Sequence, residues 1–406
     1  MSAMRFHIYV AALALALQIT RAAHGANASN QIRCVGIEAV SAACNTHESA
    51  MIRDFFYIGG EYVFDAALGS DIYSDQMYVE KLSPVKGVKQ EHPIVLISAG
   101  IPSGAAWLNT PDNRKSWASY FVDRGYLVYM VDTTSVGRSS QEQMAKYPMG
   151  VASSVRITEN DYTAPELIDP YPQSINHTQW PGNGTQYDPY FDAFMAAMIP
   201  LTTNATSQEL SMRSAGCKLL NMIGQTSYII SHSAGATYAT LMSDQCPEAI
   251  KGSINLEPGN IPFQNLIGNS TVPAVGYSPA RPCGLTSTLI GYDPPVTNCS
   301  QLQTYVQGPD TPGNRSCYLQ TSPARQLPNI ARVPYLAVTG SASPHITYDH
   351  CTIEYLNQAG VKTDWITLAD LGILSNGHFL YLEKNNLQIA AVVEEWIRGR
   401  LTIATV

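Results

Sequence analysis

One stretch constrains this chain more than any other: residues 226–240, TSYIISHSAGATYAT. Its first half is aromatic, aliphatic and β-branched, short enough to be a buried strand. Its second half is made of small residues that open a helix without steric obstruction. Between them lies Ser231-His232-Ser233-Ala234-Gly235. A strand that enters a helix through a tight turn with a serine at its apex is a nucleophile elbow. The turn strains the serine backbone and exposes its oxygen, so the residues two away on either side must be small. Gly235 meets that demand, and Ser231 stands where a first glycine is usual. A Ser-rich loop also produces SxSxG by chance, so the assignment needs the rest of the chain.

The flanking sequence supplies a frame for the elbow. Residues 55–64 and 76–82 read as opening antiparallel strands. Residues 93–98 (PIVLIS) form a continuous apolar run, a strand buried on both faces, ending in a Gly-punctuated loop, 99–104. Residues 115–123 have helical spacing and stop at Gly125; residues 126–131 (YLVYMV) are the next buried strand. Strand, helix and strand at this spacing make a βαβ unit and a mostly parallel sheet. After the elbow, strands are expected at 251–256, 334–339 and 364–368, with helices at 208–223, 236–243, 352–358 and 387–398. Two regions, about 140–207 and 259–331, are irregular and rich in proline. A long structureless loop inside a compact domain is expected to have a task such as covering a site.

The start of the chain bears on where it works. Arg5, the apolar run 8–17 and the small-residue site Ala23-His24-Gly25 make residues 1–25 a secretory signal, too short to span a bilayer. Residues 26–406 then form a single domain carrying the two insertions. Asn27, Asn176, Asn183, Asn204, Asn269, Asn298 and Asn314 each begin an N-x-Ser/Thr sequon, expected at glycosylated surface positions. The eight cysteines are never spaced as CxxC and are expected as disulfides rather than metal ligands, with Cys34–Cys44 and Cys217–Cys246 as plausible pairs. The last six residues carry no retention or lipid-anchor signal. Charged residues are 14% and the net charge is −8, without a basic run, so nucleic acid is not an expected partner.

A serine nucleophile needs a base, and the base needs a carboxylate to orient it. Of nine histidines, His7, His24, His47, His92 and His177 lie in the signal, the N-terminal segment, a strand start or an insertion. His232 adjoins the serine, and its side chain is expected to point away. His378, in Ser375-Asn376-Gly377-His378 after the last strand, is the expected base. Glu257, at the carboxyl end of a buried strand, is costly there unless a partner such as histidine meets it. Asp349 is the alternative acid. The pair His345 and His350 around Asp349 reads as an exposed helix start rather than a metal site. The oxyanion hole needs two backbone N–H groups: Ala234 after the nucleophile, and Gly100 or Ile101 from the loop after strand 93–98.

Taken together, these residues resemble the α/β-hydrolase superfamily, in the branch of a bacterial esterase whose triad acid is a glutamate after strand six. The resemblance runs over Gly100 to Trp107, Thr110-Pro111-Asp112 and Trp117, then Gly137-Arg138-Ser139, Gly377-His378, Asn385 to Ala390, and Trp396. In most α/β-hydrolases the acid follows the seventh strand, here 334–339, but the next residues, Gly340-Ser341-Ala342-Ser343-Pro344, contain no carboxylate. The resemblance implies Ser233 as nucleophile, Glu257 as acid, His378 as base, and Gly100 with Ala234 as oxyanion donors. Departures are Ser98-Ala99 where His-Gly is usual, Gly100-Ile101 in place of vicinal cysteines, and Ser231 in the elbow. The expected activity is hydrolysis of a small-molecule carboxylic ester or lactone through an acyl-enzyme, with no cofactor and no metal. Two other readings remain open. One is a biosynthetic lactonisation, acyl transfer or carbon–carbon cleavage, with Trp107, Tyr187, Tyr190 and Phe191 lining a pocket for a flat substrate. The other is a non-catalytic binding module.

Overall fold

A computed structural model describes residues 34, 43–45, 48–98, 101–259, 261–267, 270–273 and 281–401. The signal segment 1–25, Asn27, Gly100 and Asn269 lie outside the described residues.

An eight-stranded sheet is built from β1 (Met51–Asp65), β2 (Ser70–Pro84), β3 (Ile94–Ile97), β4 (Val128–Asp132), β5 (Ser227–His232), β6 (Ile250–Leu256), β7 (Tyr335–Thr339) and β8 (Thr363–Thr367). Their order across the sheet is β1-β2-β4-β3-β5-β6-β7-β8. β1 and β2 pair antiparallel, as does β2 with β4; from β4 to β8 every pairing is parallel. The chain order reverses around β3, so β5 lands beside it. The crevice at the carboxyl ends of such strands is where ligands bind in open parallel sheets.

Alternation along the strands sorts the core into two layers. Val95, Ile97 and Ile229 face α2 (Ala205–Ile223), α3 (Gly235–Gln245) and α4 (Asp349–Gln358). Ile94, Leu96 and Ile230 face α1 (Trp117–Asp123) and α5 (Asn386–Ile397) on the opposite side. All four residues of β3 are buried, and each contributes about 1.5–3 kcal/mol by leaving water. That explains the unbroken apolar run in the sequence: both faces of the strand are covered.

The irregular regions hold more local structure than their periodicity indicated. Residues 140–207 contain short helices at Val155–Thr158 and Pro189–Ala196 and a two-residue ladder, Met149–Gly150 with Leu201–Thr202. The second region contains the hairpins Gln264–Ile267 with Ser270–Pro273 and Thr304–Gln307 with Cys317–Gln320. Such pieces are too short to show a period. Four disulfides join Cys34 to Cys44, Cys217 to Cys246, Cys283 to Cys299 and Cys317 to Cys351. Both pairings anticipated from sequence are present, and Cys217–Cys246 ties α2 to the end of α3, the helices flanking β5.

Of the five described sequons, Asn176, Asn183, Asn298 and Asn314 are exposed. Asn204 is half-buried and caps α2, with its Oδ1 accepting from the Ser207 N–H and its Nδ2 donating to the Lys146 carbonyl. Among the described residues no helix is long and apolar enough to cross a membrane.

Candidate active site

Ser233 stands at the turn between β5 and α3 with φ = +52°, in the left-handed region that costs a non-glycine residue energy. Backbone bonds on both sides hold it there: its N–H donates to the Leu256 carbonyl at 2.9 Å, and its carbonyl accepts from the Gly259 N–H at 2.9 Å. The demand for small neighbours is visible in space. A Cβ on Gly235 would meet the Ile97 carbonyl oxygen at 2.9 Å and that of Ser98 at 3.1 Å. Ser231 is buried, and its hydroxyl donates to Asn255 Oδ1 on β6 at 2.9 Å. Serine therefore replaces the usual glycine because the adjacent strand offers its hydroxyl a partner.

Glu257 follows β6 directly, also at positive φ (+53°), and is fully buried. Its Oε1 accepts from the Gly340 N–H at 2.6 Å and its Oε2 from the Ser343 hydroxyl. The loop after β7 that lacks a carboxylate thus supplies two donors to the carboxylate of the preceding strand. His378 Nδ1 lies 3.3 Å from Glu257 Oε2. With the carboxylate accepting, Nδ1 carries the hydrogen and Nε2 keeps its lone pair. Asp349 lies elsewhere: it accepts from Thr339 Oγ1 at 2.6 Å and meets His345 Nδ1 at 2.8 Å.

Two proton affinities are moved towards each other here. Burial, with the nearby charge of Asp349, pushes the Glu257 carboxyl above the usual carboxylate range, against the pull of the Gly340 and Ser343 hydrogen bonds. Burial, with His232 and His345 beside it, holds His378 well below the ordinary histidine value. Rings fix the imidazole in place. Tyr162 stacks on it at 4.9 Å between centroids, and His345 stacks at 4.9 Å and an interplanar angle of 14°.

A cavity of about 490 Å³ opens above these groups, lined among others by Ile101, Tyr162, Ser233, Ala234, His345 and His378. Ser233 and His378 share this cavity, but among the described residues no hydrogen bond joins the serine Oγ to the imidazole. Such bonds are often long before substrate binds. Ala234 caps the N-terminus of α3, so its N–H and the positive end of the helix dipole lie at the serine. Both insertions line the cavity, the first through Asp161, Tyr162 and Tyr171, the second through Arg281, Pro312 and Arg315.

Several sequence expectations need correction or extension. The 345–350 segment is not an exposed helix start: His345 and Asp349 are buried, because Thr339 and His345 satisfy the Asp349 carboxylate inside the fold. Trp107 and Phe191 do not line the cavity. Trp107 is in the core, stacked on Tyr381 at 4.3 Å, and Asp188 caps the helix that turns Phe191 inward. Tyr187 is exposed to solvent and Tyr190 also stays outside the cavity. The aromatic lining comes instead from Tyr162, Tyr171 and Tyr348.

His232 points away from the cavity as expected, but it has a task. Its Nε2 donates to the His378 carbonyl at 2.8 Å, and burial lowers its pKa to about 3, which keeps it neutral. Sequence reasoning also missed His177 and Glu383. Glu383 accepts from the Gly377 N–H (2.7 Å) and Asn376 Nδ2 (2.5 Å) and meets His177 Nε2 (3.0 Å), bracing the loop that carries His378. The Asn-Gly pair before His378 was the available signal.

No family model matches the chain. Its fold is similar to that of a protein described as a novel bacterial esterase, with a TM-score of 0.58 and 20% identity, covering 88% of this chain and 99% of that one. It is 38% identical over 351 residues to the probable secreted lipase phiG of Fungal sp. (strain ATCC 74256), covering 86% of this chain and 90% of the relative. A likeness of that extent, on this sheet order and elbow, means that the chain belongs to the family of the probable secreted lipase phiG, an ester-hydrolase family built on the α/β-hydrolase fold.

Proposed function

We propose that the protein is a secreted serine hydrolase that cleaves a small-molecule carboxylic ester or lactone through an acyl-enzyme. The observation that carries the reading is the Glu257–His378 contact beneath a cavity that also receives Ser233 at its strained turn. His378 Nε2 takes the Ser233 proton as the oxygen attacks the ester carbon. Glu257 stabilises the imidazolium that forms. The oxyanion is held by the Ala234 N–H and by an N–H of the 100–101 loop, Gly100 being the donor the family resemblance favours. The alcohol leaves with the proton from His378, and water, activated by the same imidazole, releases the acid.

Export is supported by the four disulfides, which persist in oxidising compartments. The exposed sequons and the phiG relative, itself described as secreted, add to this. Residues 1–25 are proposed as the signal, with a single domain following.

Turnover of p-nitrophenyl acetate by the purified protein tests the reading. Ser233→Ala is expected to lower kcat by about 10³-fold or more, in line with the loss of a nucleophile that acts as part of a unit. Turnover at the wild-type rate in that variant rules the mechanism out.

A further inference from the structure

Two histidine–carboxylate pairs, not one, open onto the cavity. Besides Glu257–His378 there is Asp349–His345, with Nδ1 to Oδ1 at 2.8 Å. Asp349 is itself oriented by Thr339 Oγ1 (2.6 Å), and that hydroxyl accepts from Trp365 Nε1 at 2.9 Å. The chain Trp365–Thr339–Asp349–His345 therefore ends on the cavity as the Ser343–Glu257–His378 chain does. A buried imidazole ordered this way has one tautomer. In the neutral ring Nδ1–H donates to Asp349 and Nε2 presents a lone pair.

The ring's direction follows from its neighbours. His345 and His378 are stacked nearly parallel, and both Nδ1 atoms face the same carboxylate oxygen, Glu257 Oε2, at 3.9 and 3.3 Å. Both residues line the cavity, and with Nδ1 turned to the carboxylates Nε2 is the ring nitrogen left to meet it. Among the described residues His345 Nε2 has no hydrogen-bond partner. A polar arm of this kind, built beside Ser233 and His378 and idle in the proposed hydrolytic cycle, has a substrate atom as its natural partner.

We infer that His345 is a substrate-binding residue whose Nε2 accepts a hydrogen bond from a hydroxyl group of the ester. The substrate class is thus an ester with a free hydroxyl on the acyl or alcohol portion. The ring centres are 4.9 Å apart. With the two imidazoles stacked side by side, a hydroxyl a few bonds from the scissile carbonyl is the one placed to reach His345. This inference rests on Ser233 being the nucleophile.

The test uses two length-matched ester pairs: p-nitrophenyl butyrate against p-nitrophenyl 3-hydroxybutyrate, and propyl acetate against 3-hydroxypropyl acetate. Wild type is expected to favour the hydroxy member of at least one pair by about tenfold in kcat/KM, the order of one well-placed hydrogen bond. His345→Phe keeps the ring stack and removes both nitrogens; His345→Gln keeps a donor for Asp349 should the first variant fold poorly. The preference is expected to vanish in either. Equal use of both members by wild type, or a preference that survives in the folded variants, overturns the inference. Labelling of Ser233 by a fluorophosphonate is run alongside. If Ser233 does not label, the nucleophile reading fails separately. Calorimetric binding of 3-hydroxybutyramide against butyramide, in wild type and variant, then decides the role of His345 by the same two outcomes.

Discussion

At the scale of single residues, the site depends on a strained serine with no room around it and on an imidazole kept neutral. Gly235→Ala tests the first. The added methyl would press on the Ile97 and Ser98 carbonyl oxygens, which belong to backbone and cannot turn aside. The expected result is a loss of about 1–3 kcal/mol in stability together with a fall in kcat of about 10²-fold from the displaced serine. Denaturant unfolding and ester turnover read the two effects. The lowered His378 pKa gives a second prediction. A base must be unprotonated to act, and a depressed pKa keeps it so into acid solution. The acid limb of kcat/KM therefore falls below the ordinary histidine value of about 6.5, and a pH profile of the wild type shows it directly.

Among the elements, the loop between β8 and α5 is held from outside the sheet. Glu383 collects the Gly377 and Asn376 donors, and His177, from the first insertion, sits between Glu383 and Glu166 at 3.0 Å from each. Burial alone would lower the His177 pKa, but the hydrogen bonds to Glu166 and Glu383 outweigh it and raise it to about 9. The folded pKa lies above the unfolded one, so the stabilisation is fully present below pH 6.5 and is lost as pH rises through about 9. The gain is on the order of 3 kcal/mol. Unfolding midpoints of wild type and His177→Gln are thus expected to differ at pH 6 and to converge by pH 10. This support was illegible in the sequence because Glu166, His177 and Glu383 are far apart in the chain and share no periodic pattern. The strands were legible, since burial on both faces leaves runs such as IVLI that nothing else explains. The meeting of Glu257 with His378 beside Ser233 was legible as well, because each residue directly follows a strand or closes its loop. The cavity lining was misjudged: Trp107 and Phe191 are aromatic for the sake of the core, and single-sequence composition does not separate the two uses.

On the scale of the whole molecule, both insertions line the cavity, and a disulfide ties the second one to the domain. Cys317–Cys351 joins the second insertion to α4, two residues after Asp349, and closes a loop of 34 residues. Replacing both cysteines by serine is expected to cost about 3–4 kcal/mol through the larger freedom of the unfolded chain, read as a lower thermal midpoint under non-reducing conditions. The catalytic assignment itself meets its most direct test in the intact protein. The rate of fluorophosphonate labelling is measured, and its position mapped, in wild type, Glu257→Gln and Asp349→Asn. A single adduct on Ser233 is expected, forming about 10³-fold or more slowly in Glu257→Gln. Labelling that ignores Glu257→Gln but collapses in Asp349→Asn would contradict the assignment and pass the role of acid to Asp349.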